Sequence, residues 1–245
     1  MSNDQNDQLV LICGTSASGK SASLRNIRNQ ERWLFMNTEA GKRLPFKNNF
    51  RSARVDDPMQ VLGAFDWAME HPDEVDGIII DSLTFLMDQY ESKYVLNSSN
   101  GMRAWNEFQQ YFKQLMQDKV IKFGKPVLMI AHTLKTLNES TGEFEVAVPI
   151  KGSLKNNGIE AYFSCVVAAK KVPLKELQQY KNELLHITEE DELLGYKHVF
   201  QTKITKATTG ERIRSPMGLF SREQTYMDND AQVLLDHLTK FYAQN

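Results

Sequence analysis

The stretch Gly14-Thr15-Ser16-Ala17-Ser18-Gly19-Lys20-Ser21 matches the G-x-x-x-x-G-K-[S/T] phosphate-binding motif at every fixed position. An apolar run at 9–13 precedes it and a helical segment at 22–27 follows it, which is the context that the motif requires. In this motif backbone N–H groups face the phosphates, the lysine meets the β- and γ-phosphates, and the hydroxyl holds Mg²⁺. We therefore expect residues 14–21 to bind ATP, with Ser21 as a ligand of Mg²⁺.

The size and charge of the chain limit what surrounds this loop. A chain of 245 residues is long enough for one α/β domain with a buried core and hardly enough for two. We expect a single domain over residues 9–245, after a disordered, polar lead-in at 1–8. The formal net charge of −2 excludes binding to a polyanion through bulk basicity, so nucleic acid could only be bound by a local patch.

Cysteine content and hydropathy indicate a reducing compartment. Cys13 and Cys165, the only two cysteines, lie in apolar runs and are predicted to be small buried hydrophobes, not a disulfide or a metal site. No apolar stretch is long enough to span a membrane, and residues 1–8 lack the features of a signal peptide. We expect a cytoplasmic protein that binds no membrane.

The order of apolar patterns predicts an α/β fold. Buried strands alternate with amphipathic helices, which gives a mostly parallel sheet covered by helices on both faces, with ligands at the carboxyl ends of its strands. The predicted strands are 9–13, 33–37, 77–81, 126–131, 162–169 and 197–206, and the predicted helices are 57–70, 83–96, 104–123, 153–161 and 230–242. A hairpin is predicted within 134–148, a surface insertion at about 172–195, and a return strand at 212–214 that pairs with 197–206.

Three polar residues at predicted strand ends are candidates for the chemistry. Asp81 follows an isoleucine run and is the expected Mg²⁺ carboxylate beside Ser21. Many ATPases place a glutamate directly after this carboxylate, but this chain has Ser82. Glu39, after the second strand, is the best candidate to position the attacking water. His132 could sense the γ-phosphate, although a histidine with an ordinary structural role is nearly as expected there.

The order of these features resembles the RecA ATPase core: a phosphate loop, a glutamate after the second strand, Ile-Ile-Ile-Asp-Ser at 78–82, and a polar residue after the fourth strand. Within that superfamily the chain is most similar to phage-encoded Sak-type proteins, which are implicated in single-strand annealing and recombination. The resemblance covers about 9–220. It implies ATP at the interface of a ring or filament of identical subunits, single-stranded DNA as ligand, and a single-strand-binding protein as a plausible partner. For a phage protein, the compartment would be the cytoplasm of the bacterial host.

The resemblance also implies roles for basic residues. The segment 134–148 would correspond to a DNA-facing loop, and 97–103 to another. A lysine after a late strand would reach the ATP of the neighbouring subunit; Lys203 and Lys206 would point to opposite faces of a regular strand, so we expect only one to act, with Lys206 preferred. The candidate DNA contacts are Lys42, Arg43, Lys47, Arg51, Arg103, Lys135 and Lys151.

Two other functions fit many of the same residues. A motor ATPase, such as a helicase or helicase loader, could share every residue named so far. A small-molecule kinase could use Arg43, Arg51 or Arg54 to bind a phosphorylated acceptor, but Glu39 and the predicted hairpin would then have no role. The basic segment 42–54 could equally be a solvated loop.

Overall fold

A computed structural model describes residues 5–139, 142–152 and 158–243. It contains one eight-stranded sheet and one separate hairpin. The strands are β1 (Leu9–Gly14), β2 (Trp33–Asn37), β3 (Arg51–Arg54), β4 (Gly77–Asp81), β5 (Val127–His132), β6 (Leu134–Asn138), β7 (Glu143–Ala147), β8 (Cys165–Pro173), β9 (Tyr196–Gln201) and β10 (Tyr226–Asp228).

The large sheet has the strand order β10-β9-β8-β1-β5-β4-β2-β3. All neighbours from β8 to β3 are parallel, while β9 runs antiparallel to both β8 and β10. The strand of the phosphate motif therefore lies at the centre, separated from the strand of Asp81 by β5. This confirms the predicted mostly parallel α/β fold.

Helices cover both faces of the sheet. They are α1 (Met59–Glu70), α2 (Leu83–Tyr90), α3 (Gly101–Gln114), α4 (Val120–Phe123), α5 (Leu174–Leu177), α6 (Glu189–Leu194) and α7 (Ala231–Tyr242). A π-helical turn at 115–119 joins α3 to α4, so the helix predicted at 104–123 is one continuous element that starts at Gly101. The side chain of Asp230 caps α7 by accepting from two backbone amides of its first turn, which fixes where that helix begins.

Apolar side chains form one cluster on each face of the sheet. One cluster contains Phe65, Phe108 and Phe112 from α1 and α3, all fully buried. The other contains Leu24 from the segment after the phosphate loop and Leu234 from α7. Both cysteines are free and buried, as predicted, and burial raises the pKa of each thiol to about 12. Among the described residues, no helix is both long enough and apolar enough to cross a membrane.

Several sequence predictions are wrong in detail. The segment after the phosphate loop, Ser21–Asn26, is a 3-10 helix. Residues 212–214 do not pair with β9: Arg214 forms a bridge with Val166 of β8, and Glu211 forms one with Val146 of β7. The lead-in is not free over its whole length, because buried Asn6 donates to the carbonyls of Val120 and Lys125. The helix predicted at 153–161 falls partly outside the described residues; its end is a 3-10 turn at Ile159–Tyr162.

The predicted hairpin is present, and helices occupy much of the segment predicted as a surface insertion. β6 and β7 pair antiparallel directly after β5, at the carboxyl edge of the sheet. The insertion consists of α5, a 3-10 turn and α6, and it packs on β9 and β10 through a small cluster that includes Leu177, Leu185 and Tyr226.

Candidate functional site

The phosphate loop curls around the amine of Lys20. Lys20 Nζ donates to the carbonyl oxygens of Gly14, at 3.0 Å, and Thr15, at 2.6 Å. Burial lowers the pKa of this amine, and the nearby carboxylates of Asp81 and Glu39 oppose that effect. Gly19 has a φ of 96°, and a Cβ there would lie 2.7 Å from the side chain of Asn229. The loop therefore brings its backbone and one amine together at the carboxyl end of β1.

Ser21 and Asp81 meet as the sequence predicts. Ser21 Oγ donates to Asp81 Oδ2 over 2.9 Å, although the two residues lie 60 positions apart in the chain. Among the described residues, Asp81 Oδ1 is a buried oxygen without a hydrogen-bond partner. A hydroxyl and a carboxylate are ligands that suit Mg²⁺, and the unpartnered oxygen is the kind of acceptor that a cation would satisfy. These two residues fit the ion, which would neutralise charge on bound phosphates.

The electrostatics of Asp81 support the same interpretation. Burial and, after it, the charge of Glu39 raise the pKa of its carboxyl from 3.8 to about 6, while the hydrogen bond from Ser21 opposes the shift. A buried carboxyl with a raised pKa favours either a proton or a bound cation.

Ser82, where many ATPases have glutamate, has a structural role instead. Its backbone N–H donates to Thr38 Oγ1 at 2.6 Å, and its own hydroxyl caps α2.

Glu39 and His132 are brought into contact. His132 Nε2 lies 3.1 Å from Glu39 Oε1, and Lys42 Nζ donates to Glu39 Oε2 over 3.2 Å. The bond from His132, followed by that from Lys42, lowers the pKa of Glu39 to about 2 against the opposing effect of burial. Glu39 therefore stays ionised at neutral pH, and a carboxylate in this state can orient a water molecule.

These side chains line one cavity of about 310 Å³ beside the phosphate loop. Its walls include Lys20, Ser21, Glu39, Asp81 and His132, which are the predicted catalytic and Mg²⁺ residues. They come from four strand ends, β1, β2, β4 and β5, which meet at one edge because the strands are parallel. The arrangement can hold a chain of phosphates between the loop and an ionised carboxylate.

A comparison with protein families agrees with this geometry. A family model described as an AAA domain matches residues 6–209, which is most of the chain. The chain belongs to the AAA domain family. An AAA domain is a P-loop ATPase domain, which binds nucleotide, usually with Mg²⁺. No curated protein matches the chain.

The predicted DNA contacts lie on several different surfaces of this AAA domain, and many pair with acids. Lys42 pairs with Glu39, and Lys151 with Asp88 and Glu91. Arg51, in β3, pairs with Glu74 and lies over the ring of Trp67. Arg103 pairs with Glu107 within α3.

The remaining candidates pair with no acid among the described residues. Lys135 is in β6, above the ring of Phe144. Arg43 lines the phosphate cavity, and Lys47 is exposed in the loop before β3.

The two lysines considered for a neighbouring subunit lie beyond β9, which ends at Gln201. The prediction that they point to opposite faces of a regular strand is therefore wrong, because neither lies in a strand. Lys203 Nζ donates to the carbonyl oxygen of Phe220 over 3.0 Å, while Lys206 is exposed. Lys206 thus remains the freer of the two to reach another molecule.

Sequence reasoning missed two residues that support the loop from β9 and the segment after β10. His198 Nδ1 lies 3.0 Å from the carbonyl oxygen of Ser18, and Asn229 Nδ2 donates to the carbonyl oxygen of Gly19 at 2.9 Å. Both contacts join positions at least 180 residues apart. No local motif marks such residues, since only the order of strands in the sheet brings them to the loop.

Proposed function

We propose that this AAA-type ATPase is an ATP-dependent single-stranded-DNA-binding protein for recombination or annealing. The observation that carries the proposal is the path from the nucleotide cavity to an exposed hairpin. His132 contacts Glu39 in the cavity, and β6 begins only two residues later, at Leu134. A change around the γ-phosphate that moves His132 would therefore act directly on the base of the hairpin.

The hairpin surface suits unstacked bases. Leu134, Leu137 and Phe144 are more than half exposed, at 57%, 53% and 54%. Lys135 Nζ lies 4.3 Å from the centre of the Phe144 ring, which pairs a cation with an aromatic face. Aromatic and cationic groups of this kind bind single strands by stacking on bases and contacting phosphates.

Charge on the hairpin also shapes the expected binding mode. Glu143 and Glu145 lie in β7 on either side of Phe144 in the chain, so the hairpin itself attracts phosphates weakly. Binding would then depend more on stacking than on counterion release, and its salt dependence would be shallow. The exposed Arg43 and Lys47 would supply further phosphate contacts from the loop before β3.

The proposal includes assembly and cellular context. ATP would lie at the interface between identical subunits in a ring or filament, with Lys206 reaching toward the neighbour's phosphates. The exposed position of Lys206 supports this role. A phage origin, action in the host cytoplasm and a single-strand-binding protein as partner remain parts of the proposal that rest on the resemblance to Sak-type proteins.

Substitutions on the hairpin test the DNA-binding role. We expect Phe144→Ala to weaken binding of a labelled oligothymidine about tenfold, because one stacked base contributes about 1–3 kcal/mol. Lys135→Ala should weaken it less and reduce the salt slope by about one unit. The measurement is fluorescence anisotropy with ATP and Mg²⁺.

Two exposed residues away from the hairpin give matched controls. Met217→Ala and Lys175→Ala remove one exposed apolar and one exposed basic side chain and should leave the affinity unchanged. Equal affinities for the wild type and both hairpin variants would contradict the proposed DNA surface. Unwinding of a forked duplex by the wild type would favour the motor ATPase instead.

A further inference from the structure

The two strands that carry the predicted catalytic carboxylates end side by side. In the pairing of β2 with β4, Asn37 lies opposite Asp81, and each is the last residue of its strand. Beyond this pair the two chains separate, because Glu39 turns into the nucleotide cavity while Ser82 caps α2. Thr38, between Asn37 and Glu39 and only 1% exposed, therefore lies at the point where the chains diverge.

The hydroxyl of Thr38 joins the two chains at this point. Thr38 Oγ1 accepts from Ser82 N over 2.6 Å and donates to the carbonyl oxygen of Ser82 over 2.7 Å. Thr38 N donates to the carbonyl oxygen of Asp81 over 2.8 Å. Among the described residues, the fully buried Ser82 N–H contacts no acceptor other than Thr38 Oγ1. Without this hydroxyl, a buried backbone donor would lack a partner.

We infer that Thr38 is a positioning residue for ATP hydrolysis, whose hydroxyl holds Glu39 at a fixed place relative to Asp81. The inference rests on the proposed function in one respect, that the protein hydrolyses ATP with these two carboxylates. Thr38 does not line the nucleotide cavity, so it acts through the backbone of its neighbours. A displacement of about 1 Å in a catalytic group can slow a reaction about a hundredfold.

The two carboxylates need such a contact because like charges repel. After burial, the charge of Glu39 is the largest cause of the raised pKa of Asp81, which shows that the two groups interact. Bonds between Thr38 and Ser82 oppose a separation of the strand ends that carry these charges.

Gln89 of α2 holds the other side of Thr38. Its Nε2 donates to the carbonyl oxygen of Thr38 over 2.9 Å and to that of Val55 over 3.1 Å, although Gln89 follows Thr38 by 51 positions. The hydroxyl and the carbonyl of Thr38 are thus both bonded to α2 or to its capping residue, Ser82. These bonds fix the direction in which the chain continues to Glu39.

Three variants separate the role of the hydroxyl from its contribution to folding. Thr38→Val keeps the shape of the side chain without the hydroxyl, and Thr38→Ser keeps the hydroxyl without the methyl group. Thr202→Val is a matched control: Thr202 is also 1% exposed, and its hydroxyl donates to the carbonyl oxygen of Gln224 over 2.6 Å, outside the nucleotide cavity. Both valine variants lose a buried hydrogen bond, so both should be less stable, and only hydrolysis distinguishes them.

The experiment measures steady-state hydrolysis of MgATP with and without oligothymidine, and compares variants in the condition where the wild type is faster. We expect Thr38→Val to lower kcat at least about tenfold, with KM within about twofold of wild type. Thr38→Ser should keep kcat within about threefold of wild type, and Thr202→Val should hydrolyse like the wild type. In a Glu39→Gln background, Thr38→Val should lower kcat by less than about twofold, because no carboxylate remains there to be positioned.

Wild-type kcat in Thr38→Val, or an equal loss of kcat in Thr38→Ser or Thr202→Val, would overturn the inference while leaving the ATPase function intact. If Thr38→Val does not fold, Gln89→Met takes its place; it removes both amide donors, and we expect the same fall in kcat, whereas a wild-type rate would overturn the inference. The expected pattern with no effect of oligothymidine would support the inference and contradict only the DNA role. A wild type that hydrolyses no ATP would overturn the proposed function and, with it, this inference.

Discussion

At the scale of single residues, Glu39 connects the nucleotide cavity to the rest of the chain. Its two carboxylate oxygens contact different partners, His132 on β5 and Lys42 in the loop that follows β2. These contacts keep the carboxyl ionised far below neutral pH. The ionised state suits the role proposed for Glu39, which is to orient a water molecule by accepting a hydrogen bond from it.

The lowered pKa of Glu39 makes a stability prediction with a defined pH window. Its pKa falls from 4.5 to about 2 on folding, so the ionised form stabilises the native protein above pH 4.5, and this contribution is lost as pH falls toward 2. We expect Glu39→Gln to lower the free energy of unfolding by about 1 kcal/mol at neutral pH. The difference from the wild type should shrink as the pH approaches about 3.

Urea unfolding across this pH range, without nucleotide, measures the effect. Glu192→Gln removes an exposed carboxylate on α6 and controls for the change in net charge. A Glu39→Gln variant whose stability deficit is the same at every pH would show that its partners do not depend on the ionised carboxylate.

Residues in contiguous motifs were predictable, while partners distant in sequence were not. The phosphate loop and Asp81 stand in short patterns whose physical meaning is fixed by their spacing. His132 lies 93 positions from Glu39, and their contact follows from the order β5-β4-β2 at the carboxyl edge. The sequence predicts that Glu39 and His132 each lie at a strand end, but no pattern in it indicates that the two side chains touch.

At the scale of elements, the hairpin is held at its base by the loop before Glu211. Val146 N donates to the carbonyl oxygen of Gly210 over 2.7 Å. A Cβ on Gly210 would lie 1.8 Å from the carbonyl oxygen of Phe144. A larger residue at position 210 must therefore push the backbone of this loop away from the backbone of β7. Gly210 therefore fixes the position of the hairpin relative to β8.

Replacing Gly210 should loosen the hairpin without affecting nucleotide binding. We expect Gly210→Ala to speed tryptic cleavage after Lys135 several-fold and to leave MgATP affinity unchanged. Gly63→Ala is the control: a Cβ there meets nothing within 4 Å, and in the middle of α1 it should stabilise the protein by about 0.5–1 kcal/mol. Equal cleavage rates for wild type and Gly210→Ala would show that the loop does not hold the hairpin.

Two strands of the large sheet escaped sequence reasoning because one is fully exposed and the other is too short to show a pattern. β3 consists of four exposed residues, Arg-Ser-Ala-Arg, and exists because its backbone pairs with β2 along that strand's free edge. β10 has three residues and is defined by its antiparallel pairing with β9. Edge strands this short follow from backbone hydrogen bonds to a neighbour, which a single sequence does not display.

At the scale of the whole molecule, the sheet order explains why the site can work as one unit. The described strands place the phosphate loop at the centre, with the carboxylates predicted to bind Mg²⁺ and to position water on one side of it. The hairpin follows directly from the strand between β1 and β4. The nucleotide cavity and the proposed DNA surface are thus connected through β5, a buried strand of the large sheet.

Steady-state ATP hydrolysis with and without single-stranded DNA tests the central claim most directly. We expect DNA to raise the rate of the wild type. Lys20→Ala should abolish hydrolysis by removing the cation that meets the phosphates, and Glu39→Gln should lower it about a hundredfold or more by removing the group that positions water. Glu192→Gln should match the wild type. If DNA leaves the rate unchanged and Glu39→Gln hydrolyses ATP normally, the account of this site and of its coupling to DNA is contradicted.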